Sequence, residues 1–218
     1  MATGRRERKK AANRTALLNA ARALFSSKGI YSTTIEDVTE ASDLAKGTFY
    51  SYFSSRDALI AELVRETLCD LVDHAVAAAK AAEETDVATH AIIEAHARFF
   101  LDRPDTVLLL HQARGWAKLP SEADSEVRKE FKLYVERLAG ILSAAEGRRS
   151  ARPTKRLLAT ARALAGCIAG VLSFQRITAD SAGRPGDLSA SIRSLVRLLA
   201  PATGGHPVPQ ELKISAPR

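Results

Sequence analysis

Apolar residues recur every three to four positions along most of the chain, which predicts amphipathic helices. The first helix is predicted over residues 14–28, because Gly29 followed by Ile30 provides the glycine and the apolar residue of a Schellman-type stop. Its apolar stripe is Leu17, Ala21, Leu24 and Phe25. The chain therefore opens with a helix that has one face to bury.

A second, short helix is predicted to begin near Thr34. Thr33 and Glu36 have the spacing of a capping box, in which each side chain satisfies a backbone N–H of the other residue. The predicted buried face is Ile35, Val38 and Ala41. Ser42 and Asp43 interrupt the pattern, so the helix ends there and a third begins after Leu44.

The third helix holds the segment "KGTFYSYF", residues 46–53, which is unusually rich in aromatic residues. Ser54 and Asp57 repeat the capping-box spacing and predict a long fourth helix that continues to about Ala82. Five further helices are predicted over 87–101, 105–117, 121–145, 154–178 and 188–199. With about nine helices and no stretch of alternating apolar and polar residues, the predicted fold class is all-α.

Composition agrees with a folded helical protein. Of the 218 residues, 46% are hydrophobic, 26% are charged and 6% are aromatic, which is typical of a globular chain. No signal peptide and no apolar stretch of membrane-spanning length is visible, so we predict no membrane partner. Cys69 and Cys167 are isolated on helical patterns, which favours a reducing, cytoplasmic location over a disulfide framework.

Positive charge is concentrated at the start of the chain. Residues 1–56 carry ten Lys and Arg against five Asp and Glu, and so supply most of the net charge of +7. Residues 1–13 form a predicted basic N-terminal arm, in which Arg5 and Arg6 are candidate phosphate contacts. A solvated terminal tail is the simpler alternative for such a run.

Two short helices joined by a tight turn, with a supporting helix before them, are typical of a helix-turn-helix. The second helix of such a pair enters the major groove of DNA. Phe49 and Phe53 are four residues apart and are predicted to face the core. Thr48, Ser51 and Tyr52 are predicted to face outward, with Tyr50 beside them; Gly47 permits a close backbone approach and Lys46 adds charge. The Tyr52 hydroxyl is a candidate phosphate donor, although half-buried packing residues are the alternative for both tyrosines.

The segment "TTIEDVTEASDLAKGTFYSYFSSRDAL" resembles the helix-turn-helix signature of the TetR family of bacterial transcriptional regulators. The resemblance covers residues 14–65 and implies a homodimeric repressor with nine helices and a double-stranded DNA operator. The DNA-facing residues that it implies are Thr34, Lys46, Thr48, Tyr50, Ser51, Tyr52 and Arg56. The chain departs from the pattern in having Asp43 at the turn, where the family has Gly, and Ala45 at the helix N-cap, where it has Ser.

The predicted helices over 154–178 and 188–199 are the most apolar pair, and they carry a Gly166-x-x-x-Gly170 motif. We predict that they form a two-fold four-helix interface, with a monomeric core as the alternative. The predicted interface residues are Leu157, Ala161, Leu164, Ile168, Leu172, Ile192, Leu195 and Leu199. The Pro-rich residues 202–218 lack periodicity and are predicted to be a disordered tail.

The helices between residues 87 and 145 combine aromatic, apolar and a few polar side chains, which is the usual lining of a small-molecule pocket. The resemblance places an effector site in this region. The candidate pocket residues are His96, Phe99, Phe100, Leu108, His111, Gln112, Trp116, Phe131 and Tyr134. Residues 57–201 are therefore predicted to form an effector-binding and dimerisation domain that follows a DNA-binding domain over 14–56.

Two other functions remain open from the sequence. A helical metal enzyme would draw ligands from His90, His96 and His111 together with Glu94 or Asp102, but the chain has no HExxH, Glu-x-x-His or Cys cluster. A DNA-binding regulator without a small-molecule effector, answering a protein partner or acting as an activator, is the second. We therefore predict a DNA-binding regulator that is not an enzyme and has no cofactor or metal.

Overall fold

A computed structural model describes residues 2–82, 85–118, 125–147 and 153–177, and Ser194 beyond them. Within these residues the chain forms eight helices and no strand, which confirms the all-α fold. The helices are α1 (Ala2–Ser27), α2 (Ile35–Ala41), α3 (Lys46–Tyr50), α4 (Arg56–Ala81), α5 (Thr85–Asp102), α6 (Pro104–Trp116), α7 (Glu126–Ala145) and α8 (Lys155–Ile177). The predicted ninth helix and the predicted tail lie outside the described residues.

Helix α1 starts much earlier than predicted. It begins at Ala2 rather than Arg14, so the predicted basic arm is the first half of the helix and not a separate segment. Ala, Arg, Lys and Glu dominate this stretch and are all strong helix formers, so the helix extends without an apolar face to bury. The predicted stop is confirmed, because Gly29 has φ 87°, a left-handed conformation that favours glycine.

The N-cap of α2 is Thr34, one residue later than predicted. The backbone N–H of Asp37 donates to the Thr34 hydroxyl at 3.1 Å, and the Thr34 N–H donates to the Asp37 carboxylate at 2.7 Å. Thr33, the predicted cap, is instead buried and donates its hydroxyl to the Gly29 carbonyl at 2.7 Å. Val38 is buried as predicted, whereas Ala41, the last residue of this short helix, is exposed.

The turn between α2 and α3 uses both of the unusual residues in the sequence. Asp43 has φ 53°, the left-handed conformation for which glycine is the ordinary choice. Ala45 is the N-cap of α3, and its methyl group makes no capping hydrogen bond. Helix α3 therefore begins with one of its backbone donors less well satisfied than a serine would leave it.

Helix α4 connects the first three helices to the rest of the molecule. Its N-cap is Ser55, whose hydroxyl accepts from the Ala58 N–H at 3.0 Å, rather than the predicted Ser54. Its N-terminal part packs on α1 through buried Leu59, Ile60 and Leu63, while its later turns pack against α5 and α7. One continuous hydrophobic core therefore runs from α1 to α8.

Candidate nucleic-acid interface and ligand cavity

The exposed surface of α3 and its C-cap carries four of the ten residues predicted to face DNA, namely Lys46, Gly47, Tyr50 and Ser51. Tyr50 is 50% exposed and its ring stands edge-on to the buried Phe49 ring, with the centroids 5.4 Å apart. Ser51 is also exposed and donates its hydroxyl to the Gly47 carbonyl at 3.1 Å. No atom lies within 4 Å of the position that a Cβ on Gly47 would occupy, so the backbone there is open to a close approach.

Tyr52 and Thr48 lie deeper than predicted. Tyr52 is half-buried and packs against the core, and Thr48 is also half-buried. The order of exposure of the two tyrosines is therefore opposite to the prediction. The physical reason is that α3 ends at Tyr50, so Tyr52 lies in the turn that leads Phe53 into the core.

Two ion pairs hold the α2 side of this surface. The Lys46 ammonium bonds the Glu36 carboxylate, and this contact lowers the pKa of Glu36 and raises that of Lys46. Lys28 lies 2.7 Å from the Asp37 carboxylate, and together with the bonds from Thr34 it lowers the pKa of Asp37 to about 2. Thr34 is exposed, but its hydroxyl is already engaged in the cap.

Arg5 and Arg6 are exposed on the first turns of α1. Further along the helix, the guanidinium of Arg14 lies 5.8 Å from the centroid of the Phe53 ring and bonds Glu62 of α4. The contact between Arg14 and Phe53 therefore places the end of the basic half of α1 beside the end of α3.

Arg56 does not face the same surface, and the geometry gives no support to its prediction as a DNA contact. Its guanidinium donates to the Ile30 carbonyl and lies 4.8 Å from the centroid of the Trp116 ring. Burial lowers the pKa of this guanidinium. Arg56 is turned inward because it is the first residue of α4, which faces α6 at this point.

Helix α6 reaches the first three helices through two of the residues predicted to line a pocket. Gln112 accepts a hydrogen bond from the Ile30 N–H at 2.6 Å. Trp116 donates its indole N–H to Asp57 at 2.8 Å, and its ring packs against Tyr31 with centroids 5.5 Å apart. We call these contacts, together with that of Arg56, the α6 joint.

A cavity of about 740 Å³ lies between α4, α5, α6, α7 and α8. Five of the predicted pocket residues line it: His96, Phe100, His111, Phe131 and Tyr134. Its other apolar walls come from Leu68, Leu71, Val107, Leu110, Val135 and Ile168. The region of the predicted pocket is therefore the region in which the structure has a cavity.

Four predicted pocket residues do not line the cavity: Phe99, Leu108, Gln112 and Trp116. Gln112 and Trp116 belong to the α6 joint on the opposite side of the helix. Phe99 is buried against His74, with ring centroids 5.3 Å apart, and beneath the Arg103 guanidinium at 4.7 Å. The prediction grouped residues by sequence neighbourhood, whereas neighbouring residues on a helix point in different directions.

A buried polar pair closes the inner end of the cavity. The Nδ1–H of His96 donates to the Ile92 carbonyl at 2.8 Å, which leaves Nε2 to accept from the Tyr134 hydroxyl at 3.0 Å. Burial lowers the pKa of His96 to about 4 and raises the pKa of Tyr134. The pair is therefore neutral, and its donors and acceptors satisfy one another.

The sequence analysis missed the basic residues of the cavity wall. These are Arg114, Lys118, Arg128 and Arg162. Helical spacing was an available signal for two of them, since Arg114 and Lys118 are three and seven residues after His111 and share its face. Arg128 donates to the Ala117 carbonyl at 2.7 Å and thereby binds the C-terminal end of α6.

Helix α8 turns its predicted interface residues toward its own protomer. Leu157, Ala161, Leu164 and Ile168 are at most 4% exposed, which favours the monomeric core given above as the alternative to a subunit interface. They are buried because α7 and the cavity take up this stripe. The side chain of Leu172, and Ile192, Leu195 and Leu199, lie outside the described part of the structure.

The histidines considered as metal ligands do not converge. His90 is exposed, His96 bonds Tyr134, and His111 lies 2.9 Å from the Ser173 hydroxyl. No group of three or more His, Cys, Asp or Glu side chains among the described residues is placed to hold a metal ion. No helix in the same residues is both long and apolar enough to cross a membrane.

Residues 17–63 match the family model described as bacterial regulatory proteins, tetR family. A transcriptional repressor, KstR2 of Rhodococcus jostii, is 36% identical over 62 residues, which are 28% of this chain and 30% of that protein. The regulator BetI of Rhizobium meliloti is 30% identical over 127 residues, 57% of this chain and 60% of that protein. The chain thus matches less than two thirds of the length of these relatives.

Solved structures extend the similarity of fold beyond the first helices. The regulator FadR of Bacillus subtilis, solved in complex with stearoyl-CoA, superposes with a TM-score of 0.68 at 16% identity, covering 88% of this chain and 99% of that one. PfmR of Thermus thermophilus has a TM-score of 0.57 at 23% identity and covers 84% and 96%. The matched relatives are transcriptional regulators, and the prediction of a regulator rather than an enzyme is confirmed.

Proposed function

Because this chain belongs to the TetR family of bacterial transcriptional regulators, we propose that it is a homodimeric repressor. In this proposal α2 and α3 hold an operator, and a small molecule in the cavity releases it. Residues 14–56 form the DNA-binding domain, and residues 57–201 bind the effector and the second subunit. The basic first half of α1 adds phosphate contacts through Arg5 and Arg6.

The exposed surface of α3 is the observation that carries the DNA-binding role. Lys46, Tyr50 and Ser51 are exposed on a helix of one and a half turns, while Phe49 anchors that helix in the core. Side chains of this kind suit phosphate oxygens and base edges better than they suit a protein core. In a dimer, two such helices would reach two half-sites about one helical turn of DNA apart.

Selection from a library of random double-stranded DNA tests this role. The full chain is expected to enrich an inverted repeat, and the variant Tyr50→Ala to lose the enrichment. Val87→Ala is the control, because Val87 is as exposed as Tyr50 but lies on α5. Failure of the full chain to enrich any sequence would contradict the proposal.

We propose the outward face of α8 as part of the dimer interface. Ala163, Gly166 and Cys167 are exposed on this face, and such small side chains let a second helix come close. Light scattering of the full chain is expected to give the mass of a dimer, and Ala163→Glu to give that of a monomer. Lys155→Glu, on the exposed first turn of α8, is the control. A monomeric unmodified chain would refute the dimer.

Release by a ligand is supported by the two faces of α6. One face lines the cavity and the other forms the joint with α1 and α4, so a ligand that displaces α6 acts on the DNA-binding domain. The related FadR of Bacillus subtilis binds stearoyl-CoA within the same fold, which supports a ligand in this region.

Trp116 provides the experiment for release, since it is the only Trp of the chain and lies in the joint. A compound that occupies the cavity is expected to change Trp116 emission saturably and to release labelled operator in the same concentration range. By reciprocity, operator must weaken binding of that compound by the same factor. A compound that saturates the emission change and leaves DNA affinity untouched would count against release.

A further inference from the structure

We propose that the ligand of the cavity is an anionic amphiphile, whose apolar body fills the walls and whose carboxylate or phosphate binds Arg114 with help from Arg162 and Lys118. This inference rests on the proposed effector function and adds the chemical class of the effector. It concerns the charge of the ligand, which neither the fold nor the helix-turn-helix determines.

The walls of the cavity select an apolar body. Leu68, Leu71, Phe100, Leu110 and Ile168 contribute side chains from four different helices. A cavity of about 740 Å³ is within the range of ordinary small-molecule sites, and a ligand that fills it buries most of its surface against these side chains. Removal of apolar surface from water supplies the general attraction but does not distinguish one charge from another.

The polar groups at the inner end do not provide a site for charge. His96 and Tyr134 bond each other, and His96 also bonds the Ile92 carbonyl, so neither has an obligatory donor left for a ligand. His111 is engaged with the Ser173 hydroxyl. The charged group of a ligand must therefore be recognised elsewhere on the wall.

Arg114 is the group best placed to recognise an anion. It lies on α6, is half-buried in the wall, and makes no hydrogen bond or ion pair with another described residue. A half-buried guanidinium without a protein partner is left to water in the cavity, and an oxyanion that accepts from its planar fork replaces that water with a charge-assisted contact. Burial alone accounts for its lowered pKa, and an arginine so shifted keeps its charge at neutral pH.

Three further cations line the same cavity as Arg114. Arg162 of α8 and Lys118 after α6 are exposed at the wall, and Arg128 of α7 bonds the Ala117 carbonyl beside them. The described residues that line the cavity include no Asp and no Glu. A cationic ligand would meet only like charge here, and a neutral ligand would leave Arg114 unpaired. An anion is the one class that the wall favours.

Isothermal titration calorimetry with four ten-carbon probes tests the charge directly, because the probes share one apolar tail and differ in the head group. The probes are decanoate, decyl phosphate, decanol and decyltrimethylammonium, each titrated into the full chain without DNA. Decanoate or decyl phosphate is expected to bind at least about tenfold more tightly than decanol, and the cation more weakly than decanol. The better of the two anions identifies the carboxylate or the phosphate as the preferred head group.

Substitutions test whether Arg114 in the cavity wall recognises the charge of the ligand. Arg114→Gln is expected to weaken anion binding about tenfold to a hundredfold and to leave decanol binding unchanged, and Arg114→Lys to recover part of the loss. The control is Arg98→Gln, because Arg98 is 72% exposed on α5 and pairs with Glu94. Equal affinities for anion and decanol, or an Arg114→Gln variant that binds the anion normally, would overturn the inference.

The DNA measurement keeps this inference separate from the proposed function. An anion that binds through Arg114 but does not release the selected operator supports the charge assignment and contradicts the effector role. A neutral or cationic compound that binds in the cavity more tightly than either anion and releases operator supports the effector role and overturns the charge assignment.

Discussion

Trp116 donates its indole N–H to the Asp57 carboxylate at 2.8 Å and thereby ties the last residue of α6 to the first turn of α4. The guanidinium of Arg56 covers the same indole at 4.8 Å. The bond joins the wall of the cavity to the helix that follows the helix-turn-helix. If the proposed function is right, this bond is one direct contact between the helix that lines the cavity and the helix that follows α3.

Replacing Trp116 tests the α6 joint. Trp116→Phe keeps an aromatic ring and removes the N–H, so the unfolding free energy is expected to fall by about 1–2 kcal/mol as the Asp57 carboxylate loses a donor. The larger effect is expected on coupling, because a ligand at α6 then acts on α4 through fewer contacts. Anisotropy of labelled operator, with and without ligand, measures this coupling. Tyr31→Phe retains the ring contact and is the control. If ligand lowers operator affinity equally in the unmodified chain and in Trp116→Phe, the bond from Trp116 to Asp57 does not transmit ligand binding.

The pair formed by Lys46 and Glu36 predicts two opposite effects on DNA affinity. Glu36→Gln removes a negative charge and frees Lys46 for phosphate, so affinity for any DNA sequence is expected to rise. Lys46→Gln is expected to lower affinity and to make the slope of log K against log salt shallower by about one unit. Titrations at several salt concentrations measure both. If the two variants change affinity in the same direction, Lys46 does not contact phosphate.

The two tyrosines of the α3 region are expected to differ. Tyr50→Phe removes an exposed hydroxyl and is expected to weaken operator binding by about 0.5–1.5 kcal/mol, or more with a phosphate acceptor. Tyr52→Phe, at a half-buried ring, is expected to have the smaller effect. Neither variant is expected to shift the thermal midpoint by more than a few degrees. If Tyr52→Phe weakens operator binding more than Tyr50→Phe does, Tyr52 is the more important DNA contact of the two.

Ala45→Ser is expected to stabilise the chain. Ala45 already has the extended conformation of an N-cap, with φ −67° and ψ 147°, and serine would add a side-chain acceptor for the first turn of α3. The expected gain in unfolding free energy is about 1 kcal/mol, measured by denaturant titration. Thr34→Ala, which removes the N-cap of α2, is the matched comparison and is expected to lower the unfolding free energy by a similar amount. A destabilised Ala45→Ser variant would indicate that the serine cannot reach the helix.

The buried His96 predicts a loss of stability at mildly acid pH. The pKa of His96 is about 4 in the folded chain and near 6.5 in the unfolded chain, so only the unfolded chain gains a proton as the pH falls between these values. Up to about 3 kcal/mol of unfolding free energy is expected to be lost over this range. The lowered pKa of Asp37, about 2 in the folded chain, stabilises the fold fully above the ordinary value of 3.8, so this stabilisation is lost only below that pH.

Denaturant titrations between pH 4.5 and 7.5 measure this loss. His96→Gln is expected to flatten the pH dependence, and His90→Gln, at an exposed position, to leave it unchanged. A flat profile for the unmodified chain would show that His96 is protonated as readily in the folded as in the unfolded state.

The helices were predictable because each carries an apolar stripe bounded by a recognisable stop, as with Gly29 after α1. The full length of α1 was not predictable from periodicity, because residues 2–13 are helical by intrinsic preference and have no apolar face. Cap positions were displaced by one residue at Thr34 and Ser55, since Thr33–Glu36 and Ser54–Asp57 satisfy the same spacing rule. Only packing distinguishes the two choices.

The sequence predicted the regions of the candidate sites better than the individual residues in them. Arg56 and Trp116 were assigned to DNA and to the pocket respectively, and the structure places them against each other. A contact between residues 60 positions apart has no signature in a single sequence. The role of Leu157 and Ala161 was open for a related reason, because an apolar stripe fits a monomeric core and a subunit interface equally well.

The geometry of α6 divides its residues into two sets that are free to change independently. Leu110 and Arg114 face the cavity, whereas Gln112 and Trp116 face the DNA-binding domain, and positions two apart on a helix lie on nearly opposite sides. Under the proposed function, substitutions in the first set are expected to alter which compound binds, and substitutions in the second set to alter how binding affects α1 and α4. A descendant of this chain could then respond to a new compound and keep the same DNA target.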